Sequence, residues 1–322
     1  MHPALSVIFF TVTAGAGYGV LFLLGFARMA GLAPEISPDQ ITAMGLVGLL
    51  LVTAGLVSST FHLANPKNAW RSFTRFKTSW LSREAVFAVL FYPVCLIWLV
   101  SEWFTGNTFS TNLFAVLSAL LAVVVLVCTA MIYASLKTIR QWHTALTPVN
   151  FVLLGLLLGS LILCLMLAQQ GLEVSPLVRL SLVVLLLAAL AKVIYFYWIG
   201  QPAGPTINTA LGFTRATVRL LDVGHSSDTF HTKEFGYQVD RARLIWLRVI
   251  SVALAFVLPL LLLSGLVGQV GFAALLLAAI SAYAGGVCRA LVVLRRSEAR
   301  RQSLSWDAAH LMTHEADDGY CR

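Results

Sequence analysis

The sequence predicts an all-α integral membrane protein with about eight transmembrane helices, an arrangement that two four-helix bundles would accommodate. Of its 322 residues, 59% are hydrophobic and only 11% are charged, whereas a soluble domain usually carries about 25% charged residues. The apolar residues form continuous runs of about the 20 residues that a helix needs to cross a bilayer. The positive charges are concentrated in alternate connections between these runs.

Each run is expected to be a helix, because a spanning segment must pair its backbone polar groups internally. Barrel strands would instead alternate apolar and polar residues over about 10 positions. The first run lacks a positive n-region and is long enough to span, so we expect a helix and not a cleaved signal peptide. The predicted spans are 4–29, 41–61, 84–103, 112–135, 148–168, 176–198, 247–267 and 271–294.

The distribution of Lys and Arg predicts the orientation. Of the 22 basic residues, 17 fall on one face and only Arg28 and Arg179 on the other. By the positive-inside rule, the rich face is cytoplasmic. We therefore expect one integral membrane domain over 1–322, both termini in the cytoplasm, cytoplasmic loops at 62–83 and 200–244, and a cytoplasmic tail at 295–322. The 17 residues are Lys67, Arg71, Arg75, Lys77, Arg83, Lys137, Arg140, Arg215, Arg219, Lys233, Arg241, Arg243, Arg295, Arg296, Arg300, Arg301 and Arg322.

The net charge of +8 follows from this bias. It favours membrane lipid over nucleic acid as a partner, because no basic module stands apart from the membrane. Cys95, Cys128, Cys164 and Cys288 lie in predicted spans without a Cys-x-x-Cys pair. We interpret them as small buried hydrophobes. Only His62 lies near a span, so we expect no haem, iron–sulfur cluster or metal in this protein.

Small residues and one lysine inside predicted spans each allow two interpretations. Gly15, Gly17 and Gly19 predict close packing of the first helix against its neighbours. The alternative is the wall of a groove for a flat ligand, which makes Tyr18 a candidate binding residue. Lys192 either reaches the cytoplasmic interface beside an aromatic belt or is a functional intramembrane charge.

The second connection contains the main candidate site. His62 ends the second predicted span and Glu84 begins the third, so antiparallel packing brings both to the same depth. A histidine exchanges protons near neutral pH, and a half-buried carboxylate can be tuned to do so. Ser79, Ser82 and Arg83 supply hydrogen-bond donors. The set is typical of a quinone pocket; the alternative is that His62 caps its helix and Glu84 pairs with Arg83 at the positive end of a helix dipole.

The segment resembles the membrane anchor subunits of dimethyl sulfoxide reductase-type molybdoenzymes. That family has a His-Leu-Gly-x-Pro motif followed by Ser-x-Leu-Ser-x-Glu, and this sequence has both at 62–66 and 79–84, with Ala64 replacing the glycine. Further similar blocks lie at 208–222 and 233–248. The opening residues 2–11 most resemble the branch attached to cytoplasmic sulfite dehydrogenases.

The resemblance implies a bacterial inner-membrane subunit that binds ubiquinone or menaquinone through His62 and Glu84. It also implies two partners, an iron–sulfur subunit and a molybdopterin catalytic subunit, docked on the basic face. In a branch with exported catalytic subunits the helices would be inverted, and the charge distribution opposes that. Quinone reduction coupled to sulfite oxidation is therefore favoured over a quinol-oxidising reductase anchor. A secondary transporter is the alternative of another class, but the paired broken helices that such proteins use are missing from the sequence.

Overall fold

The computed structural model describes residues 5–30, 36–61, 66–137, 141–200, 212, 241–265 and 270–290. His62 and the tail 295–322 lie outside these residues, as does most of the predicted loop 200–244. Eight helices in the described part are long and apolar enough to cross a membrane, and this part contains no strand. The predicted all-α membrane fold with eight spans is confirmed, and the protein is a multi-pass membrane protein.

The helices begin and end close to the predicted limits. They are α1 Leu5–Met29, α2 Pro38–Thr60, α3 Trp80–Thr105, α4 Phe109–Ala134, α5 Leu146–Gln169, α6 Ser175–Gly200, α7 Arg241–Val252 with its continuation through Leu258–Leu263, and α8 Phe272–Ala290. Within α7, a π-helical turn at Ala253–Val257 precedes Pro259. A short 3₁₀ helix, Pro66–Arg75, lies between α2 and α3 and is called the loop helix below.

Several helices begin earlier than the hydropathy pattern predicts, and α2 and α3 show the local reasons. At α2, the hydroxyl of Ser37 accepts a hydrogen bond from the amide of Gln40, whose side chain accepts one from the amide of Ser37. This capping box satisfies amides that a helix start leaves unpaired, and Pro38 suits the first helical position. At α3, the helix begins at Trp80, so Glu84 lies one turn inside it and not at its start.

The helices enclose two apolar cores. The first is built mainly from α1, α2, α3 and α4 around Tyr18, Phe91 and Trp98. The second is built from α5, α6, α7 and α8. Helix α1 contributes to both, with Val12 and Ala16 in the second core. The arrangement thus corresponds to two four-helix bundles that share α1 along their junction.

Glycines bring α1 against its neighbours, as the sequence predicts. A Cβ atom added at Gly17 would lie 2.6 Å from the carbonyl oxygen of Gly48 on α2. One added at Gly155 on α5 would lie 2.9 Å from the carbonyl oxygen of Gly15. The backbones therefore approach more closely than any side chain would allow. This is the packing that small residues provide between membrane helices.

Candidate functional site

Glu84 is a buried carboxyl group between α3 and α4. It lies in the first turns of α3, and only 6% of the residue is exposed. Its Oε1 accepts a hydrogen bond from the hydroxyl of Thr129 on α4 at 2.5 Å. Acidic residues in membrane spans are rare because burying a charge is costly, and they mark functional sites by default.

Tyrosines from two helices lie in the neighbourhood of this carboxyl group. Tyr18 on α1 and Tyr133 on α4 both lie close enough to Glu84 to interact with it electrostatically. The ring of Tyr18 packs edge-on against Phe91, with centroids 5.1 Å apart. Its hydroxyl is buried and has no hydrogen-bond partner among the described residues. Helical side chains tilt toward the helix N-terminus, so Tyr18 is inclined toward the end of the bundle where Glu84 lies.

Ser82 fastens the loop helix to α3. Its hydroxyl donates to the carbonyl oxygen of Ser72 and accepts from the amide of Arg75 at 3.2 Å. Ser82 is 1% exposed, and both hydrogen bonds join its hydroxyl to backbone atoms of the loop helix. Ser79, predicted as another donor, caps α3 with an extended backbone, and its side chain makes no capping hydrogen bond.

Arg83 also holds the connection and does not pair with Glu84. Its guanidinium donates to the carbonyl oxygens of Phe76 and Lys77, at 3.1 and 2.8 Å. It also lies over the ring of Trp80, 4.2 Å from the centroid. The alternative prediction of an Arg83–Glu84 pair is therefore wrong: Arg83 bonds carbonyl oxygens of the connection, and Glu84 bonds Thr129 on α4.

The predicted site residues are thus divided in their roles. Glu84 and Tyr18 are both buried in the first bundle, within electrostatic range of each other. Ser82 and Arg83 instead make hydrogen bonds that organise the connection next to them. His62 lies outside the described residues, one position beyond the cap of α2 at Phe61.

A cavity that is partly open to the outside lies between α1, α5, α6, α7 and α8, with a wall from α4. Its lining includes Lys192, Arg289 and Tyr133. Lys192 is only 5% exposed, and its amine lies 4.1 Å from the ring centroid of Tyr195. Of the two interpretations of Lys192, the burial of its side chain in a cavity between helices favours the functional intramembrane charge over a side chain that extends to the surface.

A buried ion pair at the opposite end of the first bundle has no counterpart among the sequence predictions. Arg28 at the end of α1 donates to both carboxylate oxygens of Glu102 on α3, at 2.5 and 3.2 Å. The side chains are 9% and 0% exposed. The sequence does contain a signal for this ion pair, because α1 and α3 run in the same direction and each carries one charged residue in its last turns.

The fold and the site define a multi-pass membrane subunit with a buried carboxyl group near one face. The family model for the DMSO reductase anchor subunit (DmsC) matches residues 1–293. The protein belongs to this family.

Three individual relatives are similar to this protein to different extents. The protein is 35% identical over 290 residues to the C subunit of sulfite dehydrogenase from Allochromatium vinosum, an alignment that covers 84% of this sequence and 88% of the relative. It is 25% identical over 168 residues to the C component of anaerobic dimethyl sulfoxide reductase from Escherichia coli K12, covering 52% and 58%. The anaerobic dimethyl sulfoxide reductase component YnfH of E. coli K12 is 27% identical over 187 residues, covering 57% of this sequence and 65% of the relative. No solved structure gives a significant match.

Proposed function

We propose that this anchor subunit binds membrane quinone and couples its reduction to the oxidation of sulfite by docked catalytic partners. The observation that carries the proposal is the carboxyl group of Glu84, which lies in the interior of the first bundle with one hydrogen-bond donor, Thr129. Reducing a quinone to a quinol requires two electrons and two protons. A carboxyl group that is close to one face but shielded from bulk water suits the delivery of one of these protons.

The residues around Glu84 fit a quinone head group. The Tyr18 hydroxyl has no hydrogen-bond partner among the described residues, and it can donate to a carbonyl oxygen. The ring of Phe91 beside it provides an apolar wall. His62, from the adjoining connection, is proposed to hydrogen-bond the second carbonyl oxygen and to relay the other proton. Ser82 and Arg83 support the site indirectly, because their side chains fix the connection beside the first turn of α3. Ser79 contributes through its backbone amide, which donates to the carbonyl oxygen of Arg75.

The electrons are proposed to arrive from an iron–sulfur subunit, which in turn receives them from a molybdopterin catalytic subunit. The loop helix supplies a docking surface on the same side as Glu84. It exposes Trp70 and Phe73, and the guanidinium of Arg71 lies 5.9 Å from the ring centroid of Trp70. Exposed aromatic and arginine side chains are enriched in protein interfaces, and a basic surface orients an acidic partner.

Two observations support the proposed direction of electron flow and the proposed cellular location. Similarity to a sulfite dehydrogenase subunit over most of both sequences favours sulfite oxidation over a quinol-oxidising reductase. The concentration of basic residues on the side of the loop helix favours the bacterial inner membrane with both termini cytoplasmic. The loops 62–83 and 200–244 and the tail 295–322 would then form the docking face. Either ubiquinone or menaquinone satisfies the chemistry.

Substitution at Glu84 tests the proposal in the intact complex. Glu84→Gln keeps the size of the side chain and its hydrogen bond with Thr129 but removes the exchangeable proton. We expect sulfite-dependent quinone reduction to fall by about 10²–10⁴-fold, the usual contribution of a general acid or base. Sulfite oxidation with a soluble artificial acceptor should persist. His62→Ala should give the same pattern.

The matched control is Glu173→Gln, because Glu173 lies in the turn between α5 and α6, at the end of the bundles opposite Glu84. It should leave both activities unchanged. If the Glu84 variant assembles normally and reduces quinone at the wild-type rate, Glu84 is structural and the quinone pocket lies elsewhere.

A further inference from the structure

The cavity between α1 and the second bundle is lined by charged and polar side chains that have no role in the proposed quinone reduction. Its walls are largely aliphatic, with Leu154, Leu157 and Leu158 from α5, and Ala255 and Ala282 from α7 and α8. Two basic side chains also line it, and none of the described lining residues is acidic. A cavity with this lining suits a molecule that is apolar over most of its length and negative at one end.

The polar groups are clustered at one end of the cavity. Lys192 and Tyr195 are one turn apart on α6, and the hydroxyl of Tyr195 donates to the carbonyl oxygen of Gln141 at 3.0 Å. Arg289 on α8 is close enough to Tyr195 to interact with it electrostatically. Lys192 lies in the C-terminal half of α6 and Arg289 in the last turn of the described part of α8. Both are therefore on the side of the membrane where Glu84 lies.

Two buried polar atoms in this cluster have no hydrogen-bond partner among the described residues. One is Nη1 of Arg289, a donor. The other is Oδ1 of Asn150, an acceptor on a residue that is only 6% exposed and whose amide nitrogen already donates to Leu146 at 2.7 Å. Buried polar groups are almost always paired. A ligand that offers both an oxyanion and a hydroxyl proton would satisfy the two atoms together.

We propose that Lys192 and Arg289 bind a phosphate group in this cavity, with Asn150 accepting a hydrogen bond from a hydroxyl attached to or near it. The phosphate comes either from the head group of an anionic phospholipid, whose acyl chains would occupy the apolar part, or from free inorganic phosphate. Basic pockets between membrane helices on the cytoplasmic side are the usual sites for acidic lipid head groups. The planar guanidinium of Arg289 matches two phosphate oxygens at once.

The bound phosphate would link helices that belong to different parts of the second bundle. Lys192 belongs to α6 and Arg289 to α8, and the cavity also touches α1 and α7. One anion shared by both cations would therefore hold α6 and α8 together within the second bundle. The phosphate site requires neither Glu84 nor His62, so variants of Lys192 and Arg289 should leave the docking of the catalytic partners intact.

Lipid retention and thermal stability of the purified complex test the proposal. Bound phospholipid is quantified by mass spectrometry, and the melting temperature is measured with added phosphatidylglycerol, phosphatidylcholine or inorganic phosphate. We expect phosphatidylglycerol to stabilise the wild type, and Arg289→Gln or Lys192→Gln to weaken that binding about tenfold through loss of a charge-assisted hydrogen bond. Arg289→Lys keeps the charge and should retain most of the effect.

The control is Arg179→Gln, since Arg179 is an exposed basic residue on the same helix as Lys192 and does not line the cavity. It should behave as the wild type. Stabilisation by inorganic phosphate alone, lost in the same variants, would identify free phosphate as the ligand. Equal lipid retention and stabilisation in all variants would overturn the proposal, as would the loss of a bound quinone, and not a phospholipid, from the cavity variants.

Discussion

Gly17 offers a quantitative test of how closely α1 packs against α2. In Gly17→Ala, the new Cβ would lie 2.6 Å from the carbonyl oxygen of Gly48 and 2.7 Å from the amide nitrogen of Val52. Ordinary contact begins at about 3.4 Å, so the backbones must separate by most of an ångström. Overpacking of this kind lowers the free energy of unfolding by roughly 1–3 kcal/mol. The higher helix propensity of alanine offsets about 1 kcal/mol of this loss.

Gly15→Ala is the matched comparison on the same helix. Its added Cβ would meet only Leu126 at 3.9 Å and the Cα of Gly155 at 4.0 Å, so the helix propensity gain should remain and the variant should be neutral or slightly stabilised. We expect Gly17→Ala to be less stable than Gly15→Ala by about 2 kcal/mol. Reversible unfolding of the purified protein in mixed detergent micelles measures the difference. Equal stability of the two variants would refute the close approach of α1 and α2.

Two further predictions concern charges and orientation. Glu102→Gln leaves the buried Arg28 without its counter-charge and should destabilise the protein by about 3–5 kcal/mol; the same unfolding assay should show partial recovery when Arg28→Met is added, and no recovery would contradict the pairing. A cysteine introduced near Glu173 should react with an impermeant reagent from outside intact cells, whereas one near Ser303 should react only after the membrane is opened. The reverse labelling pattern would invert the proposed orientation.

The helices could be predicted from sequence because hydropathy records an energetic requirement of the bilayer. Their exact beginnings could not, since these depend on local hydrogen bonds. Ser37 and Gln40 extend α2 through a capping box, and α3 begins at Trp80 beside the loop helix. Mean hydropathy registers neither effect, because capping residues are polar.

Individual site residues were predictable, but their partners were not. Glu84 stood out as an acidic residue at a span, whereas Thr129 on α4 is an ordinary residue until the fold brings it to the carboxyl group. Lys192 and Arg289 are separated in the sequence by a long connection and a further helix, so their convergence on one cavity has no local signal. Side chains that meet across bundles require the packing itself to be known.

Helix α1 is the most interior of the eight spans. In its most hydrophobic stretch 78% of the residues are buried, compared with 22% to 56% in the other spans. It is synthesised before the other seven spans, and ribosomes deliver helices to the membrane in order from the N-terminus. Its glycine faces pack against α2 and α5, so lipid must cover them until those helices are inserted. Assembly of the two halves is therefore a late event, completed only when α5 displaces lipid from the exposed side of the first helix.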